Sequence, residues 1–273
     1  MSPCIKNPSA IIQRVKQKAR QFNRHGGVLF LGTQHLLGYA GSWIERMNLR
    51  VHRQTIEKWL LRKGWLHLYS PAAYYAYVRA VRHIAPVSGW VLDAGQGQGA
   101  MSRYYPGNPQ RLIGVDIQTD NGIKADIRYL PFKRGVFSQV LAFNVAEHVA
   151  DTPMLLRELR RVLKTGHLVY LLYPFTARRH TAYDYYRFSE QGMEHLLHTA
   201  GFLPHFSRQF GGSLASLGHL LCSLCLMACV FRPLFYLLFP VNVLVTRLVV
   251  WLERHGLQDG IYPQEFLTVA KKP

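Results

Sequence analysis

The stretch Val91-Leu92-Asp93-Ala94-Gly95-Gln96-Gly97-Gln98-Gly99 decides the fold. Trp90, Val91 and Leu92 read as a buried strand. Three alternate glycines follow, and the chain then turns helical. Glycine has no Cβ, so such a loop turns tightly and lets the backbone touch a ligand. The start of the helix adds free N–H groups beside it. The next apolar run, Leu112–Val115, leads into Asp116. A carboxylate at that strand end can accept hydrogen bonds from both hydroxyls of a ribose.

Working outward, short apolar runs alternate with helical patterns. Phe137–Phe143 and His167–Leu172 read as strands. Between them, Thr152–Leu163 carries Leu155, Leu156, Leu159 and Val162 on one side, and Gly166 follows as a helix stop. Residues 189–202 form another helix, His205–Phe210 a further strand, and Glu265–Lys272 a last one. Strand, helix, strand in repetition argues for an α/β fold with a parallel sheet covered by helices. Before Pro86 the chain reads as helical; Ser70-Pro71 starts one helix, with Ser as N-cap and Pro in the first turn. These breaks divide the chain into a basic, mostly helical region over 1–85, a cofactor-binding domain over 86–210 and 263–273, and an apolar helical insertion over 211–262.

Two cofactors fit the glycine loop. With Ala100 it matches the dinucleotide pattern G-x-G-x-x-A, which is weak evidence alone. Asp93 separates them: it would sit badly beside a pyrophosphate, and well near the ammonium group of S-adenosylmethionine. The chain resembles class I S-adenosylmethionine-dependent methyltransferases of the broad type-11 kind. The resemblance rests on Val91–Gly99, Gly114-Val115-Asp116, Ala125-Asp126-Ile127, Leu130-Pro131-Phe132 and Asn144-Val145-Ala146-Glu147-His148-Val149. It continues through Leu156–Leu163, Lys164-Thr165-Gly166, His180, Asp184-Tyr185-Tyr186-Arg187-Phe188-Ser189 and Ala200-Gly201-Phe202. It implies a Rossmann-like sheet of seven strands with helices on both faces, and S-adenosylmethionine as cofactor. It further implies that Gly95, Gly97 and Gly99 shape the loop around the methionine part, with Gln96 in that loop and Asp93 nearby. Asp116, with Ile117 beside it, would hold the ribose. Asp126 and Ile127 would approach adenine, and Asn144 and His148 would lie near the sulfonium. Gln96 and Gln98 depart from the residues usual between these glycines. Glu147 reads equally well as a charge partner for a helix start.

A sulfonium methyl needs little activation; the nucleophile must be aligned with the S–CH3 bond at near-attack distance. A hydroxyl or protonated nitrogen also needs a base. His148, His180 and the Tyr183-Asp184 pair are the candidates. Asp184 and Arg187 can equally bond each other and brace a loop. The Asn-Pro-Pro-Tyr type of motif, used on exocyclic amines of bases, is absent from Asn144–Val149.

The composition then narrows the acceptor. The chain has 273 residues, of which 49% are apolar and 18% charged, which excludes a disordered chain. Lys and Arg number 33 against 15 Asp and Glu, a net +18. Residues 1–88 hold 14 basic and 2 acidic groups, so they supply +12 of that excess. Such a region seeks phosphate on nucleic acid, lipid or substrate. The first 24 residues read as a surface amphipathic helix or a transit peptide, the former preferred because basic character continues to Arg82. Cysteines stand at 4, 222, 225 and 229. They suggest a reducing compartment and small buried apolar residues, with no metal site.

Residues 211–262 connect the strand at 205–210 to the last strand. That connection leaves from the carboxyl edge of the sheet, where ligands bind. It can be a transmembrane hairpin, a soluble lid, or an interfacial helix pair. The interfacial reading is preferred, because Pro240 and Arg247 oppose a spanning return helix, and apolar surface and positive charge reinforce each other on anionic lipid. The expectation is a cytoplasmic methyltransferase at a membrane face, acting on a lipid, prenylated ring or lipid-linked glycan. Alternatives are a soluble small-molecule or RNA methyltransferase and a non-catalytic S-adenosylmethionine-binding scaffold. Nucleic acid is the less favoured partner, and the oligomeric state is not legible.

Overall fold

The computed structural model describes residues 58–119, 122–178, 183–227 and 232–273. The amphipathic segment expected over the first 24 residues, Cys4, Cys229 and His180 lie outside them.

Seven strands form one sheet: β1 Val91–Ala94, β2 Leu112–Asp116, β3 Ile123–Lys124, β4 Phe137–Phe143, β5 Leu163–Pro174, β6 Leu203–Phe210 and β7 Glu265–Lys271. Their order is β3-β2-β1-β4-β5-β7-β6. Pairs among β1 to β5 are parallel, and β7 runs antiparallel to both β5 and β6. β6 is therefore parallel to β5, as expected. The reversal of strand order between β1 and β4 puts a crevice at their carboxyl ends. β4 is buried at all seven positions, as a central parallel strand covered on both faces must be.

The helices include α1 Pro71–Tyr74, α2 Met101–Tyr104, α3 Thr152–Val162, α4 Glu190–Thr199, α5 Ser213–Met227 and α6 Arg232–Leu252. α3 starts where the Asp151 side chain accepts the Met154 N–H at 2.9 Å. Its stripe Leu155, Leu156, Leu159 and Val162 packs with Met193 and Leu197 of α4 on one face of the sheet. The chain enters β5 directly after α3, so Gly166 does not stop the helix; it lies inside the strand at φ +79°.

The opposite face is covered by α1 and its continuation Tyr75–His83, by Met101, and by Ala215, Val249 and Val250 of the insertion. The described end of the basic region, Tyr74–Ile84, and the insertion thus pack in one layer, although the sequence separates them by more than a hundred residues. Gly218 of α5 approaches so closely that a Cβ there would lie 2.9 Å from Val249 Cγ2 and 3.2 Å from Pro71 Cγ. Asn242 of α6 donates to the carbonyl of Tyr69 at 3.3 Å. Glu253, just past α6, accepts from the Tyr75 hydroxyl and from the N–H groups of Gly212 and Ala215, the latter two at 2.9 Å. Cys222 is buried, in keeping with a small apolar packing residue.

Candidate active site

The glycine loop closes on the strand beside it. Gly95 and Gln96 donate their N–H groups to the Val115 carbonyl at 2.8 and 3.1 Å. Gly97 donates to Asp116 Oδ2 at 3.0 Å, and Gln118 N–H to Asp116 Oδ1 at 2.8 Å. The Asp116 carboxylate therefore stands at the rim of the loop, with lone pairs left for ribose hydroxyls. Gly95 and Gly97 have φ of +77° and +53°, a region closed to most side chains.

Asp93 sits at the end of β1, only 3% exposed. Burial, and then the neighbouring charge of Asp116, push its acid up to about 7. An ammonium group placed there would return it to the ionised form. The Gln96 side chain lies over Gly114 of β2. It hydrogen-bonds Thr119 and fills the notch over Gly114 and Gly122, where added Cβ atoms would collide with it. With Asp93 and Ile123 it lines a cavity of about 140 Å3 under the loop. That is well below the roughly 300–1,000 Å3 of small-molecule pockets, so this cavity is not the whole cofactor cleft.

The remaining residues divide by where they point. Ile117 is 51% exposed, whereas Ile127 is buried in the apolar core. Asp126 forms an ion pair with Arg128 at 2.7 Å. Burial raises its acid, but the hydrogen bonds from Arg128 outweigh that and hold it below its ordinary value. Asn144, directly after β4, takes a left-handed φ of +52°, which is uncommon for a side-chain-bearing residue. His148 Nδ1 is 2.7 Å from the Tyr183 carbonyl, and Nε2 is 3.6 Å from Glu147 Oε1. Asp184 is bound through both oxygens by Arg187, with Oδ2 at 2.8 Å. Its side chain is 2% exposed. The structure gives Asp184 the bracing part and keeps it away from solvent.

Two acids stand out that the motifs did not single out as site residues. Glu147 is fully buried, and among the described residues neither of its oxygens has a hydrogen-bond partner. Burial pushes its acid up to about 8. Glu265, at the start of β7, is also raised to about 8, first by burial and then by the charge of Glu147. The Asn144 side chain hydrogen-bonds Glu265. Topology brings Glu265 here, since β7 inserts beside β5; no local pattern around Glu265 announces it.

Residues 92–171 match the family model described as Methyltransferase domain. Among solved structures, the complex of the Trm112 methyltransferase activator of Haloferax volcanii with its partner contains a chain similar in fold, with TM-score 0.51 and 16% identity, covering 82% of this chain and 97% of that one. An S-adenosylmethionine-dependent methyltransferase of Thermotoga maritima also has TM-score 0.51 and 16% identity, covering 84% and 99%. No curated protein matches. The strand order, the glycine loop with its two acids and the family match over β1 to β5 converge: residues 92–171 carry a methyltransferase domain in the class I Rossmann-like fold, and S-adenosylmethionine is the methyl donor that the loop and its acids fit.

Proposed function

We propose that the protein methylates an amphiphilic acceptor, such as a lipid, a prenylated ring or a lipid-linked glycan, at a membrane surface on its cytoplasmic side. The observation that carries this is the outer face of the α5–α6 pair. Leu217, Leu220, Leu221 and Leu224 on α5 are exposed, as are Leu237, Leu244, Leu248 and Trp251 on α6. Their spacing of three, four and seven puts each set on one helical stripe. Leu237 is 72% and Leu244 67% exposed. A soluble surface rarely leaves so continuous an apolar patch in water.

The stretch Leu234–Leu257, most of α6 and the turn after it, is by length and composition alone apolar enough to cross a membrane. The inner side of that helix argues for lying on the surface instead. Asn242, Thr246 and Glu253 are buried against the protein, and Asn242 and Glu253 hydrogen-bond it there. A spanning helix would have to give up those contacts. Lying flat, the helix keeps them and buries its outer leucines in lipid. The net charge of +18 favours an anionic surface.

The test is co-sedimentation with anionic and zwitterionic phospholipid vesicles, paired with a methyl-labelled S-adenosylmethionine assay on lipid extracts. Binding to anionic vesicles, its loss in Leu237→Glu with Leu244→Glu, and label in the organic phase are expected. Vesicle binding untouched by the double substitution, with label only in the aqueous phase, would sink the proposal.

A further inference from the structure

The segment in front of α1 packs between the cofactor loop and the insertion. Residues 58–63 are helical, Gly64 turns the chain at φ +75°, and Leu66–Leu68 form a short 3-10 turn. Leu60 and Leu66 are buried together with Ala100, the residue after the glycine loop, and with Phe235 of α6. The outer surface of this junction is aromatic. Trp59 meets Trp65, Tyr236 and Phe239 edge-on, with ring centroids 5.6, 5.4 and 6.3 Å apart. Trp65 and Tyr236 are each nearly half exposed. Leu237 follows Tyr236 directly, so the aromatic cluster runs into the exposed leucine stripe of α6.

Cations gather around the same turn. Arg62 and Lys63 precede Gly64. The Arg103 guanidinium of α2 lies against Gly64, so closely that a Cβ there would be 2.4 Å from one of its nitrogens. Burial lowers the pKa of His67, a hydrogen bond with the Gly64 backbone partly offsets this, and the charges of Arg103 and Arg247 lower it again. Arg247 therefore approaches the turn from α6. It stands about three helical turns after Tyr236, on the flank beside the leucines. All four cations are exposed, and among the described residues none of them pairs with an acid. No Asp or Glu occurs between Lys58 and Leu92. Like charges brought together from three elements repel one another, and a counter-anion relieves them.

The surroundings favour one kind of anion. Small ligands are held in concave pockets, whereas these cations ring an exposed turn bordered by Trp65, Tyr236 and open leucines. Trp and Tyr beside basic side chains is the arrangement of a membrane–water interface, with rings at headgroup level and cations on the lipid phosphates. We propose that the turn Gly64–His67, with Arg62, Lys63, Arg103 and Arg247 around it and Trp65 and Tyr236 at its rim, binds the phosphates of an anionic phospholipid bilayer. The leucine stripe supplies depth in the lipid, and this flank supplies orientation. It brings the cofactor loop, through Ala100 and Arg103, to the headgroup layer, so that an acceptor reaches the methyl donor without leaving the bilayer. The lipid as occupant rests on the membrane-surface reading above; the cluster of cations without acids does not.

Co-sedimentation of the full-length protein with phosphatidylcholine vesicles, with and without phosphatidylglycerol, tests this. Arg103→Gln with Arg247→Gln should weaken binding to the phosphatidylglycerol vesicles roughly twenty- to thirtyfold, at about fivefold per cation near the surface. Binding to pure phosphatidylcholine should not change. Lys133→Gln with Arg134→Gln removes the same charge from the loop before β4, at the opposite edge of the sheet, and should alter neither. Unchanged S-adenosylhomocysteine binding by calorimetry shows that each variant is folded. Equal losses in the two pairs would reduce the effect to net charge and overturn the proposal. Displacement of the protein from the vesicles by dilute glycerol 3-phosphate would assign the cations to a soluble phosphate and overturn it too. Leu237→Glu with Leu244→Glu reads the membrane proposal separately. Loss of vesicle binding there, with none in the arginine pair, leaves that reading standing and refutes this one; a wild type that binds neither vesicle refutes both.

Discussion

Val145 closes over Gly95 so tightly that a Cβ on Gly95 would lie 2.3 Å from Val145 Cγ2. The end of β1 and the first turn after β4 are interlocked at that point. Gly95→Ala must then bear a left-handed φ, costing about 1–2 kcal/mol, and overpacking, costing about 1–3 kcal/mol. Gly97 has a left-handed φ too, but open space around it. Gly97→Ala should therefore cost only about 1–2 kcal/mol. Urea denaturation of both variants measures the difference, and equal losses would refute the interlock.

Asp93 gives the cofactor site a pH dependence of predictable sign. Its acid is raised to about 7 by burial, and an ammonium group binds the ionised form. Affinity for S-adenosylhomocysteine should therefore rise between pH 6 and 8, by roughly tenfold for one linked proton. Calorimetry at the two pH values checks this. Asp93→Asn should bind more weakly at pH 8 and show no such rise.

Glu253 ties the insertion to the helical layer. Glu253→Ala would leave the Tyr75 hydroxyl and the N–H groups of Gly212 and Ala215 without their acceptor. Each buried group left unpaired costs about 1–3 kcal/mol, so a total loss of about 3 kcal/mol or more is expected. Glu253→Gln keeps one acceptor oxygen and should lose less. Thermal unfolding of the two proteins tests the order.

The raised acids of Glu147 and Glu265 also set the pH dependence of stability. Each has an ordinary value of 4.5 and stands near 8 in the folded chain, mainly through burial. Between those limits the folded protein holds protons that the unfolded chain releases, so stability falls as pH rises. Denaturation at pH 5.5 and pH 8 should show the folded state weaker at pH 8. Glu147→Gln should reduce the difference.

The sheet was legible because its central strands are unbroken apolar runs. Phe137–Phe143 reads as β4 residue for residue, and the leucine stripe of α3 gives that helix to within a residue. β3 is only two residues long, Ile123–Lys124, too short to show any alternation. Gly166 misled because a glycine after a leucine stripe usually ends a helix, whereas here the backbone had already turned extended at Leu163. Within the site, Asp93, the glycines and Asp116 were visible because one strand, one loop and the next strand end present them together. Glu147 carries a helix-start signature, and only the packing around it shows a buried acid. Glu265 depends on a strand that arrives from the far side of a long insertion, so no neighbour in sequence betrays it. Gln96 reads as an anomaly between glycines until Gly114 and Gly122 are seen to make room for it.

The placement of β7 between β5 and β6 also constrains how the molecule comes together. β6 precedes the α5–α6 pair in the chain and β7 follows it, yet β6 has no bond to β5 and pairs only through β7. Until the two helices have turned the chain back, β6 is an orphan strand with an open edge, of the kind that invites mispairing. Pairing at such long range is slow. The apolar hairpin therefore gates closure of the sheet, and a lipid surface that gathers its leucines early would act as an assembly platform for the catalytic domain.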